Sequence, residues 1–129
     1  MKDILVPLSP GEMLDKITIL RIKAARMSDP VKVANVKHEL SLLEQTWRDS
    51  GAAAVDLGPE EANLTRVNEQ LWVIEDDIRD EERANRFGDK FIQLARAVYI
   101  TNDERAAIKK RINIKMGSNI VEEKSYKQY

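Results

Sequence analysis

Apolar residues recur along this chain at intervals of three and four, and short helix-starting and helix-ending signals separate the stripes they form. A 3.6-residue period lines one side of a helix and cannot be laid on a pleated strand, so the pattern predicts an all-α fold. Met13, Ile17, Leu20, Ala24 and Met27 make the first stripe. Ahead of it, Ser9 is placed to cap, Pro10 suits the first helical position, and Glu12 can close a capping box onto Ser9. Ile19 and Ile22 fall on the other side of the same helix. A helix with two apolar faces is expected to be sandwiched, as at a subunit contact, and on this ground a homodimer is expected.

Ser28-Asp29-Pro30 breaks and restarts the chain, and Val33, Val36, Leu40, Leu43 and Trp47 follow on a second helix. So short a turn predicts an antiparallel hairpin. The run from Ser50 to Pro59 is a loop inside one unit, since neither half looks complete alone. A long third helix is predicted from about Pro59 to Asn85, with Leu64, Val67, Leu71, Ile74 and Ile78 inward. Gly88 offers a left-handed cap after it. A shorter helical pair completes the fold: one helix over Phe91, Leu94, Ala95 and Val98, and one opened by a second capping box at Thr101-Asn102-Asp103-Glu104 and ending near Gly117. Short extended segments are expected at both ends, with Ile120 and Val121 beside Ile4-Leu5-Val6. The reading is a single helical domain over residues 1–129.

Composition narrows the function. With 21 Lys and Arg against 22 Asp and Glu, the net charge is −1, which argues against a nucleic-acid binder. The chain has no Cys, so thiol nucleophiles and Cys-held metals are excluded, and a single histidine, His38, leaves little room for His-based chemistry. His38 lies off the inward stripe and reads as a surface residue. No run approaches the ~20 apolar residues of a membrane span, and Met1 to Leu8 is too weakly apolar for a signal peptide. A cytoplasmic protein without membrane partner or cofactor is expected.

The informative residues are polar ones on faces that should be buried. On the third helix Glu82 falls inside the apolar stripe, while Asn68, Glu75 and Arg79 run along its edge beside Trp72. On the last helix Arg105 stands amid Ile108, Ile112 and Met116, with Asn102, Lys109 and Asn113 along one edge. Arg96 lies beside Ile92 and Tyr99. A buried charge needs a partner, so these columns are expected to face one another. One reading is a structural network in which Glu75 and Glu82 pair with Arg79, Arg96, Arg105 or Lys109. The other is an inter-helix pocket for an anionic small molecule, with Trp72, Glu75, Arg79, Arg96, Tyr99, Asn102, Arg105, Lys109 and Asn113 as ligand-binding residues. The acidic run Glu75-Asp76-Asp77 with Asp80-Glu81-Glu82 brings a magnesium site to mind, but Asp76, Asp77, Asp80 and Glu81 fall mostly on the outer face. Lys109-Lys110-Arg111 suits a helix C-terminus, not a nucleic-acid patch.

The strings GEMLDKITILRIK, VNEQLWVIEDDIRDEE, ARAVYITNDERAAIKKRIN and VEEKSYKQY resemble a family of small, uncharacterised bacterial and phage proteins classed as a domain of unknown function. The resemblance covers nearly the whole chain and implies no established reaction. It implies a setting near surface-glycan genes, hence sugar or nucleotide-sugar ligands. It also places Glu12, Asp15, Lys16 and the tail residues Glu122 to Tyr126 in the family's distinctive segments, and such a polar tail is expected to fold back and complete the site. The function expected is therefore a binding or accessory protein for an anionic ligand. Two alternatives stay open: a metal-free enzyme that works by placing Arg, Lys and carboxylate groups, as helical chorismate mutases do, and a structural module that binds a partner through its helices.

Overall fold

The computed structural model describes residues 1–129. It is all-helical, with no strand: α1 (Pro10–Arg26), α2 (Pro30–Asp49), α3 (Gly58–Arg83) and α4 (Asp89–Lys115), plus a single 3-10 turn at Ala52–Ala54. The starts follow the local chemistry. Ser9 Oγ accepts from Glu12 N, Asp29 Oδ1 accepts from Val31 N and Lys32 N, and a proline stands in the first turn of α1, α2 and α3.

α3 and α4 form an antiparallel hairpin, since Glu60 meets Lys115 and Arg66 meets Glu104. α1 lies across both helices, and α2 folds back on α1. The core gathers where α1, α3 and α4 meet: Leu14, Leu57, Leu64, Val67, Ile108 and Ile112, with Trp47 and Met116 against it. Each such aliphatic side chain contributes about 1.5–3 kcal/mol by leaving water. α2 buries no residue fully.

Several expectations are corrected. The shorter helical pair is one helix, unbroken through Thr101. Thr101 is buried rather than capping, and Asn102 Nδ2 donates back to the Val98 carbonyl inside the helix. No glycine or proline stands between Asp89 and Lys115 to stop the ladder. The left-handed residue after α3 is Asn85 (φ 53°), not Gly88, which is extended. Asn85 tolerates that conformation, and Arg86 N bonding Glu81 O while Asn85 N bonds Glu82 O completes a Schellman end. Ile22 is buried within the chain and Ile19 is half-buried, so the second apolar face of α1 is at least partly covered by the chain's own helices. Ile4, Leu5 and Val6 are exposed, and no ladder joins them to Ile120 and Val121.

Gly11 fixes how near α1 comes to α4. A Cβ there would stand 2.5 Å from the Lys109 carbonyl oxygen and 2.9 Å from Asn113 Oδ1. Backbone oxygen in a helix cannot retreat, so only glycine fits. Gly11→Ala is expected to cost about 1–3 kcal/mol, read as a lower urea midpoint with unchanged slope.

Candidate functional site

The face of α1 turned to α3 and α4 carries Gly11, Asp15, Thr18 and Ile22, spaced by four, three and four, and all are buried. Asp15 is 1% exposed. A carboxylate so placed must be paired, and three elements supply the partners. From α3, Asn68 Nδ2 donates to Asp15 Oδ1 at 3.0 Å and to Thr18 Oγ1 at 3.1 Å. From α4, Arg105 Nε lies 3.1 Å from both carboxylate oxygens, and Arg105 Nη2 donates to Oδ2 at 2.9 Å. Thr18 Oγ1 in turn donates to the Asp15 carbonyl at 2.8 Å. Every buried side-chain nitrogen and oxygen in the chain has a partner. This inner layer is a structural network. Its acid is Asp15, not Glu75 or Glu82, the partners the helix wheels suggested for Arg105.

A second layer lies outside it. Lys109 Nζ donates to Glu12 Oε2 at 2.6 Å and lies 3.9 Å from Asp15 Oδ2 and 3.4 Å from Glu122 Oε2. The capping box stays half-closed: Ser9 Oγ accepts from the Glu12 N–H, but the Glu12 carboxylate is taken by Lys109 and does not return to Ser9. Glu122 also reaches Lys124 Nζ at 2.7 Å. Lys124 foremost, then Lys109, hold the Glu122 carboxyl below its ordinary range, and Glu122 holds the Lys124 ammonium above its own.

The tail is what makes a groove of this surface. Gly117, in the left-handed conformation (φ 64°), ends α4, with Ser118 N on Asn113 O and Gly117 N on Ile114 O. The chain then returns along α4. At its far end Tyr129 Oη donates to Asp103 Oδ2 at 2.6 Å, and the Tyr129 ring meets Tyr99 edge-on with centroids 5.2 Å apart. The Asp103 bond raises the Tyr129 phenol above its usual range. Between tail and helix lies a groove of about 770 Å³, whose cations are Arg105, Lys109, Lys124 and Lys127 and whose aromatic walls are Tyr99, Tyr126 and Tyr129. Asn102 adds an amide that accepts from Arg105 Nη1.

Of the nine residues singled out by sequence, Tyr99, Asn102, Arg105 and Lys109 come together in this groove. Asn113 lies beyond it, its Oδ1 accepting from Gly11 N at 2.7 Å, and lines a smaller cavity of about 290 Å³. The remaining four do not join. Trp72 is half-buried on α3, Glu75 and Arg79 pair with each other on the surface, and Arg96 is exposed. Glu75 holds the Arg79 guanidinium above its usual value. Glu82 is exposed; its neighbour Glu81 is the covered one, bonded by Arg86 Nε at 2.5 Å and near Lys90 Nζ at 3.4 Å where the chain turns over it. Arg86 first, then Lys90, lower its carboxyl below the ordinary range. The acidic run does not converge on a point that could hold a metal, and His38 is exposed on α2.

The tail does fold back on α4, as the resemblance implied, and brings Lys124 and Tyr126 to the groove. Lys127 and Tyr129 were not singled out by sequence, and no role was assigned to Asp15. The Asp15 signal was present, in the four-three-four spacing it shares with Gly11, Thr18 and Ile22. The network yields a stability test. Arg105→Met leaves buried Asp15 without its hydrogen-bonded cation, with only Lys109 at 3.9 Å, and is expected to cost about 3–5 kcal/mol in urea unfolding. Lys109→Met should cost clearly less, because Glu12 and Glu122 can turn to water.

A family model described as a family of unknown function (DUF6165) matches residues 4–129. No curated protein and no solved structure matches the chain. No helix is long and apolar enough to cross a membrane.

Proposed function

We propose that this chain, which belongs to the family of unknown function DUF6165, is a binding protein that takes an anionic small molecule of the sugar-phosphate or nucleotide-sugar kind. The ligand sits in the groove between α4 and the tail. One observation carries this reading: Asp15 grips Arg105 from the inside and leaves its outer edge for the groove. Asp15 uses Nε and one N–H of Nη2, and Asn102 uses one N–H of Nη1. One N–H on each terminal nitrogen is left without a protein partner, donors suited to a phosphate or carboxylate.

The surroundings support the same class. Lys124 and Lys127 add charge from the tail, and three tyrosines offer flat faces and hydroxyls suited to a base or a sugar. The one acid lining the groove, Asp103, is engaged by Tyr129, and the acids just beyond it, Glu12 and Glu122, are engaged by Lys109. Carboxylates so held favour binding over the metal-free enzyme, which needs one free to exchange a proton.

Isothermal titration with UDP-glucose, UDP, glucose 1-phosphate and glucose tests the proposal. The three anions are expected to bind and neutral glucose is not. Lys124→Ala combined with Lys127→Ala is expected to weaken UDP binding about tenfold or more, since each lost charge-assisted contact is worth about 1.5–3 kcal/mol at most and the two are partly screened. Absence of binding by all three anions up to low-millimolar concentration overturns the reading.

A further inference from the structure

Glu122 belongs to the tail, not to the helices, yet its carboxylate lies between two ammonium groups of the groove. One oxygen is 3.4 Å from Lys109 Nζ and the other 2.7 Å from Lys124 Nζ. A bidentate anion bridging two cations is the arrangement a ligand phosphate would take there. Lys109 is nearly buried, with 10% of its side chain exposed, while the Glu122 side chain is 43% exposed. The cation is therefore fixed and its partner is the member free to leave.

The rest of the tail fits a movable part. Residues 119–129 are exposed throughout. Past Ser118, the attachments to α4 are the Glu122–Lys109 pair in the middle and Tyr129 on Asp103 and Tyr99 at the end. Gly117, with its positive φ, is the pivot from which the segment departs.

We propose that Glu122 is a built-in competitor for the anion. In the absence of ligand its carboxylate occupies the seat between Lys109 and Lys124 and straps the tail across the groove. A ligand anion displaces it, and the tail re-closes on the ligand through Lys124, Lys127 and the tyrosines. The inference rests on the binding reading above and adds the regulation of that same site. It also explains why a groove rich in cations carries no net excess at its inner end: Asp15, Glu12 and Glu122 face Arg105, Lys109 and Lys124.

The experiment compares wild type, Glu122→Gln and Glu123→Gln, all as the full chain. Glu123 removes the same charge one residue away and makes no ion pair with Lys109, so it controls for general electrostatics. UDP is the probe, titrated at fixed ionic strength. Glu122→Gln is expected to bind UDP about threefold to fivefold more tightly than wild type, the worth of one partly exposed ion pair, with Glu123→Gln close to wild type. Heteronuclear NOE values over residues 120–128 without ligand read the strap directly, and they should fall in Glu122→Gln and not in Glu123→Gln. Both variants sit on the exposed tail, and unchanged thermal midpoints verify that the helices are intact. Equal UDP affinity in all three proteins overturns the competitor and leaves the binding site standing. Equal tightening in both variants also overturns it, as simple charge removal. Failure of all three to bind UDP overturns the site and the competitor together.

Discussion

A carboxylate that has lost its water must be surrounded by donors, and Asp15 imposes that condition on the whole molecule. Its partners come from α3 and α4, more than fifty residues away along the chain at the nearest. The pairing therefore fixes which faces of three helices meet and in what register. Apolar burial alone specifies this less well, since Leu, Ile and Val can slide past one another at small cost, while a misplaced buried charge costs several kcal/mol. Gly11, one turn earlier on the same face, sets the distance, and Asp15 sets the register.

The same pair links the fold to the groove. A free arginine on a surface helix samples many rotamers, and a ligand must order it at an entropic cost. Arg105 is held on one edge by the buried acid and on another by Asn102, so its unpartnered N–H groups are already aimed. Stability and recognition draw on one side chain here. The inner half of the guanidinium belongs to the core, and the outer half belongs to the site.

The sequence made the helices legible because their information is local. Ser9-Pro10 and Asp29-Pro30 each state a helix start through groups within four residues, and the apolar stripes state which side faces in. Where local and distant signals conflict, the distant one decides. Thr101-Asn102-Asp103-Glu104 has the composition of a cap, but Thr101 is buried among helices, and the continuous ladder prevails. Half of the candidate site was readable for the same reason: Asn102, Arg105 and Lys109 share a face of one helix. Asp15 was hidden by its strongly apolar neighbours Leu14 and Ile17, and Ile22 beside it was read as surface for a partner. The tail was legible only through the family resemblance, since Glu122, Lys124 and Tyr129 follow no period, and which α4 residues they meet emerges only when they lie against it.

α2 stands apart from this architecture. It rests chiefly on α1, buries no residue fully, reaches the core cluster through Trp47 alone, and has no part in the Asp15 network. Its opening would expose the outer side of α1 while leaving α1, α3 and α4 locked through their charges. The molecule thus has two tiers of cooperativity: a tripod of helices that must melt together, and an outer helix able to detach and re-dock as a unit below the global unfolding free energy. Insertions and sequence drift are absorbed most cheaply on that outer helix, far from the side chains that set the register.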